Sequence, residues 1–236
     1  MKWKSLSNVV SVSSNLNMLE PMRHILDKTT IILASQSPRR KEILQNLGLQ
    51  FIVKPSTVEE NLEKTKYIGR PFDYTVDTAG LKADDVFETV IKDYGSEDLI
   101  VIGCDTVVTH ADTIYEKPKD MSDAARILGI LSGNSHTVYS GVKLIYKEKG
   151  GEKKEETFYE ATDVEFAELS EEVIKAYIST GEPMDKAGGY GIQGRGGSLV
   201  KGIKGDYFNV MGFPAHKFSI KLTECLKKMH VPTMTS

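Results

Sequence analysis

The chain has 236 residues, with 30 Lys+Arg against 33 Asp+Glu, for a formal net charge of −3. It holds no apolar run of the roughly 18 residues that a membrane span needs, and its balanced charge argues against an electrostatic nucleic-acid binder. Its two cysteines, Cys104 and Cys225, are too few for a disulfide scaffold or an all-cysteine zinc site and fit a reducing compartment, so the expectation is a cytoplasmic protein with no membrane or nucleic-acid partner.

Residues 1–28 differ from the rest. Ser and Asn recur, no acid precedes Glu20, and the weakly positive start lacks the arginines of a transit peptide. The expectation is a loose N-terminal extension over 1–28 and one domain over 29–230. In that domain Thr30–Ala34 reads as a short buried strand. Ser37 then caps a helix that Pro38 opens and Gly48 stops, with Ile43, Leu44 and Leu47 on its apolar face. Phe51–Val53 is a second strand. Asp73–Tyr94 carries apolar residues at helical spacing. Leu99–Gly103 is apolar throughout, as a strand covered on both faces would be. A turn at Ala111-Asp112 predicts a hairpin, and Ser122–Leu131 a helix. Two long strands, His136–Lys147 and Glu155–Glu168, are joined across the polar stretch Lys149–Lys154. A helix follows from Ser170 to about Thr180-Gly181, then a glycine-rich loop over Gly188–Gly205 and a last helix over Phe213–Lys228. Val231–Ser236 reads as a loose tail. The pattern predicts an α/β fold, a single domain whose mixed sheet of about five to seven strands is flanked by helices.

Four stretches carry candidate chemistry. Ser35-Gln36-Ser37-Pro38-Arg39-Arg40 places hydroxyls and arginines at a helix N-terminus, where unpaired N–H groups attract phosphate. Positive side chains oppose the helix dipole there, so the arginines are out of place without an anion. A capped helix with solvated arginines is the plainer alternative. Asp105 follows the apolar strand, where α/β sheets bind ligands; it could hold a metal or activate water, or simply satisfy a turn. Cys104 reads as a small buried filler. Glu59 or Glu60, after the second strand, could complete a Mg²⁺ site with Asp105, and Lys117 of Glu116-Lys117-Pro118 could meet a phosphate. In Gly181–Gly197, Asp185, Lys186 and Gln193 sit among glycines that allow close ligand approach, and the Gln193 amide could read a base edge. His136 and Asp206 read as structural.

Together these stretches resemble the Maf family of nucleoside triphosphate pyrophosphatases. Leu33–Arg40, Gly103–Val108, Glu116-Lys117-Pro118, Ser132-Gly133 with His136, Glu182–Gly194 and Gly212-Phe213-Pro214 match its motifs in order and spacing. The likeness is closest to the Maf-like domain that in animals can be fused to a methyltransferase-like domain. It implies a Maf/ITPase-like fold, a homodimer, and hydrolysis of dTTP, UTP and modified pyrimidine nucleotides to the monophosphate and pyrophosphate, a house-cleaning role. It also implies a divalent ion, Mg²⁺ or Mn²⁺, on Asp105 and Glu60. Catalysis would fall to Asp105, Lys117 and Glu60. Substrate binding would fall to Ser37, Arg39, Arg40, Thr106, Lys82, Asp185, Lys186 and Gln193, with Arg40, Thr106 and Gln193 selecting the base. A purine-directed pyrophosphatase and a non-catalytic nucleotide-binding regulator of cell division are the competing readings.

Overall fold

A computed structural model describes residues 18–229. In chain order it contains α1 (Arg23–Leu26), β1 (Thr30–Leu33), α2 (Pro38–Asn46), β2 (Ile52–Val53), α3 (Pro71–Tyr94), β3 (Leu99–His110), β4 (Thr113–Tyr115) and α4 (Met121–Leu131). Then follow β5 (Ser135–Lys147), β6 (Lys154–Phe166), α5 (Glu171–Ser179), β7 (Val200–Lys204), α6 (Tyr207–Met211) and α7 (Ala215–Met229). The seven strands make one mixed sheet in the order β2-β1-β3-β5-β6-β7, with β4 paired to β3 off that path. β1 runs parallel to β2 and β3, and the other pairs are antiparallel.

The unbroken apolar runs of β1 and β3 follow from cover on both faces. Ile31, Leu33, Ile100 and Ile102 point into one core with Phe218, Leu222 and Leu226 of α7. Their neighbours Ile32, Leu99 and Val101 point the other way, onto Ala83, Val86, Phe87 and Val90 of α3. A third core joins Val108 of β3, Val138 of β5 and Phe166 of β6 to α4 and α5. Helix α3 lies almost in backbone contact with the sheet. A Cβ on Gly103 would stand 2.2 Å from the Ala79 carbonyl oxygen, and one on Gly141 2.3 Å from the Thr75 carbonyl carbon.

Three expectations need correcting. Residues 18–28 are not a loose extension. Leu19, Met22 and Leu26 are buried in the α7 core, because a short helical turn aims all three at it. Residues 1–17 and 230–236 lie outside the described residues. β3 does not end at Gly103 but continues to His110, held by pairing with β5 from Leu99 to Thr109. It then turns at Ala111 and Asp112, both at positive φ, into β4. Finally, the glycine-rich stretch ends in an edge strand, β7, and an unexpected short helix, α6, follows it and stops at Gly212 with φ 113°, while the expected last helix is present as α7.

Candidate active site

β1 stops at Leu33, opposite Ile102, while β3 runs on. Between Ile102 and Val108, where β4 takes up the pairing, β3 has no strand on its β1 side, and Arg40 at the N-terminus of α2 bonds the Cys104 carbonyl there instead. The result is a crevice at the carboxyl ends of two parallel strands, where α/β sheets bind ligands. It opens into a cleft of about 1120 Å³ whose lining includes every residue expected at the site: Ser37, Arg39, Arg40, Glu60, Lys82, Asp105, Thr106, Lys117, Asp185, Lys186 and Gln193. Asp105 therefore stands in mid-strand, opposite Gly141, and not in a turn.

Lys82 reaches into the crevice from α3. Its ammonium donates to Asp105 Oδ1 at 2.8 Å and lies 2.9 Å from Glu60 Oε2. The side chains of Lys82 and Asp105 are each 13% exposed, so this pair is largely withdrawn from water, whereas Glu60 is 43% exposed. Of the two acids that the sequence left open, Glu60 faces the site. Behind it Glu116 accepts from the buried Tyr74 hydroxyl at 2.6 Å and pairs with Lys64. Burial works against the Glu116 charge, but Lys64 and Tyr74 outweigh it and hold the carboxyl below its ordinary range. Burial and the Glu116 carboxylate push the Tyr74 phenol far above its usual value. Lys117 is exposed on the cleft wall, with no side-chain partner among the described residues.

The helix entry at α2 forms as its sequence predicts. Pro38 opens the helix and the Ser37 hydroxyl accepts from the Arg40 amide. The two arginines then part. Arg39 turns to the glycine-rich segment, its guanidinium bonding the Asp185 carboxylate and carbonyl at 3.2 Å each. Asp185 also holds Lys186 at 2.6 Å. Burial works to raise the Asp185 pKa, and Lys186 and Arg39 outweigh it, so the carboxyl lies below its ordinary range. Arg40 turns inward. Its Nε donates to the Gly212 carbonyl at 3.0 Å, Nη1 to Ser35 Oγ at 3.1 Å and the Cys104 carbonyl at 2.8 Å, and Nη2 to Thr106 Oγ1 at 3.1 Å. One Nη2 hydrogen is left for the cleft. The Thr106 hydroxyl is engaged as well, with Ser140 Oγ at 2.9 Å and the Gly212 carbonyl at 3.2 Å. Arg40 and Thr106, the expected base-selecting residues, are half-buried on the cleft lining, and most of their hydrogen-bonding groups are engaged by the protein itself.

Residues that the sequence reading left without a role organise the opposite wall. Glu182 Oε1 accepts from the Tyr177 hydroxyl at 2.9 Å and the Gly196 amide at 3.0 Å, and its Oε2 accepts from the Arg195 amide at 3.0 Å. The Tyr177 oxygen in turn accepts from the Gly191 amide at 3.1 Å. The loop carrying Gln193 is thus tied at both ends to one carboxylate–phenol pair. Glu182 lay inside the motif and could have been suspected there. Tyr177, on α5, gave no signal. The Gln193 amide points across the cleft mouth and donates from Nε2 to Glu42 Oε1 at 2.9 Å. Cys104 is fully buried, and burial raises its thiol pKa. His136 is buried against Tyr190, and Asp206 caps α6 through the Phe208 amide at 2.8 Å. All three are structural, as read from the sequence.

Among the described residues no group of three or more His, Cys, Asp or Glu side chains is placed to hold a metal ion. Asp105 and Glu60 remain as a pair of hard oxygen donors already directed at one cation, the Lys82 ammonium. That donor set fits Mg²⁺, which takes one or two carboxylates and completes its shell with phosphate and water.

A helix N-terminus, clustered cations and a carboxylate–lysine pair share one cleft of an α/β fold, as they would in a protein built to hold and act on a phosphorylated ligand. Residues 30–225 match the family described as Maf-like protein, and the chain belongs to that family. It is 44% identical over 209 residues to the dTTP/UTP pyrophosphatase of Agathobacter rectalis, covering 85% of this chain and 98% of that protein. It is 48% identical over 183 residues to the dTTP/UTP pyrophosphatase of Bacillus cytotoxicus, covering 78% and 88%. It is 46% identical over 198 residues to a human protein named "Probable bifunctional dTTP/UTP pyrophosphatase/methyltransferase protein", covering 82% of this chain but only 32% of that one. Among solved structures, a HAM1 protein from Coxiella burnetii is 16% identical with a TM-score of 0.41, covering 83% and 99%; a likeness so slight carries no argument.

Proposed function

We propose that the chain is a nucleoside triphosphate pyrophosphatase that hydrolyses dTTP and UTP, and modified pyrimidine nucleotides, to the monophosphate and pyrophosphate, a house-cleaning role. The observation that carries this is the Lys82–Asp105 pair, withdrawn from water and facing the phosphate-binding corner of α2 across one cleft. Likeness over most of the chain to enzymes named dTTP/UTP pyrophosphatase supports the substrate class.

In this reading the α2 N-terminus with Ser37, and the cations Arg39, Lys117 and Lys186, hold the triphosphate. Charge builds on phosphate oxygens as water attacks the α-phosphorus, so preplaced cations supply most of the stabilisation. Asp105 accepts the proton that the water gives up. The Pα–O bond to the β-phosphate breaks, and pyrophosphate leaves with the bonding pair. Lys82 keeps Asp105 oriented and offsets the charge of the neighbouring acids. Asp105 and Glu60 would hold Mg²⁺ or Mn²⁺, which supplies Lewis-acid polarisation of the phosphate when bound. Gln193 meets the base edge.

A homodimer and a cytoplasmic site of action complete the proposal. The first rests on the family resemblance and the second on the two unpaired cysteines. No described helix is long and apolar enough to cross a membrane. The test is pyrophosphate release with Mg²⁺ across dTTP, UTP, CTP, GTP, ITP and 7-methyl-GTP. Preference for dTTP and UTP with monophosphate as product is expected. Turnover of ITP or 7-methyl-GTP alone would overturn the pyrimidine assignment, and no turnover by folded protein would overturn the enzyme.

A further inference from the structure

A side chain outside every motif stands against the base-reading amide. Glu42 lies on α2 one turn after Arg39, so the two share a face of the helix. Both reach across the cleft to the glycine-rich segment, Arg39 to Asp185 and Glu42 to Gln193. The backbone beneath Gln193 is already fixed by the Glu182–Tyr177 pair. Arg40 and Thr106 are committed to protein acceptors. Apart from one Arg40 N–H, the Gln193 amide is the group of this set that can offer a base edge both a donor and an acceptor, and its main ambiguity is a flip that exchanges its oxygen and nitrogen.

A carboxylate accepts and does not donate. Facing Glu42, the amide must present its nitrogen, because the flipped form sets its carbonyl oxygen against a carboxylate oxygen. The unflipped amide offers the cleft a carbonyl acceptor and a second N–H in a fixed order. Uracil and thymine present an N3–H donor beside the O4 acceptor, and cytosine presents an N3 acceptor beside an N4 amino donor. A locked amide pairs with the first pattern and opposes the second. An amide free to flip can serve both.

We propose that Glu42 is the positioning residue for pyrimidine selection: through Gln193 it sets the site to the uracil–thymine edge and against cytosine. This rests on the pyrimidine reading given above. The experiment compares kcat/KM for UTP and CTP in the wild-type chain and in Glu42→Gln, Glu42→Ala and Glu42→Asp, with Mg²⁺. The Gln and Ala variants are expected to lower the UTP:CTP ratio about fivefold, mainly through a gain on CTP, since an oriented polar contact is worth about that factor. Glu42→Asp keeps an acceptor-only group and should retain more of the ratio than Glu42→Gln. A merely structural role would lower both substrates together and leave the ratio in place, which overturns the inference. A wild-type ratio that survives in both the Gln and Ala variants also overturns it and leaves the enzyme reading intact. A wild-type protein that hydrolyses neither nucleotide removes both.

Discussion

His136 offers a test of the cleft wall that needs no substrate. Its ring lies buried and edge-on to Phe166 and Tyr190, with Nε2 2.8 Å from the Tyr190 hydroxyl and Nδ1 without a partner among the described residues. Burial, with His110 adding to it and Asp163 opposing, lowers its pKa from 6.5 to about 4. The folded state therefore holds a neutral ring where the unfolded chain is protonated, and unfolding takes up a proton in that interval. The contribution to stability is complete above the unfolded value and is lost as pH falls toward the folded one. At about 1.36 kcal/mol per pH unit the full interval is worth about 3 kcal/mol, of which about 2 kcal/mol falls between about pH 7 and about pH 5. Urea unfolding of the wild type and His136→Gln at those two pH values measures it. The Gln amide can still meet the Tyr190 hydroxyl but does not titrate there. The wild type should lose about 2 kcal/mol more than the variant over the interval. Equal losses would show that the buried imidazole is not kept neutral. Because Tyr190 lines the cleft, the same acidification should loosen the wall against which the ligand rests.

Asp105→Asn keeps the shape and removes the proton acceptor, so pyrophosphate release should fall about a hundredfold or more with the melting temperature nearly unchanged; retained turnover would take Asp105 out of the reaction. Arg40→Lys cannot reproduce the fan to Gly212, Ser35, Cys104 and Thr106. It should cost about 2 kcal/mol in chemical denaturation, and a loss near zero would refute its framing role. In Glu182→Gln an amide nitrogen opposes the Arg195 or Gly196 N–H. A rise in KM that exceeds the fall in kcat is expected from steady-state kinetics, because the loop loses its anchor while Asp105 and Lys82 stay in place.

Most of the architecture could be read from local chemistry. Ser37-Pro38 announced α2, the apolar run at Leu99 announced a strand covered on both faces, and Ser170 announced α5. The missed parts depend on partners distant in sequence. Nothing near Gly103 signals that β3 continues, because β5 pays for that continuation through the residues opposite Cys104 to Thr109. Leu19, Met22 and Leu26 looked like scattered apolar residues until α7 supplied the surface they cover. The site residues were legible as a set, since their types and order carry the family pattern. Their division of labour was not. Arg39 and Arg40 are adjacent and chemically alike, yet one faces a loop carboxylate and the other two carbonyls and two hydroxyls. Tyr177 and Glu42 lie on helices whose sequence gives no reason to single them out.

The flush contact of α3 with Gly103 makes helix and sheet a single ruler. Gly103 and Asp105 point to the same side of β3, and Ala79 and Lys82 lie one turn apart on α3. The spacing of the backbones that carry Lys82 and Asp105 is therefore set by main chain resting on main chain. A methyl group at position 103 would lift the helix before altering any group in the cleft. Turnover and thermal stability would then move together along one coordinate, so this enzyme cannot trade the one for the other at that position.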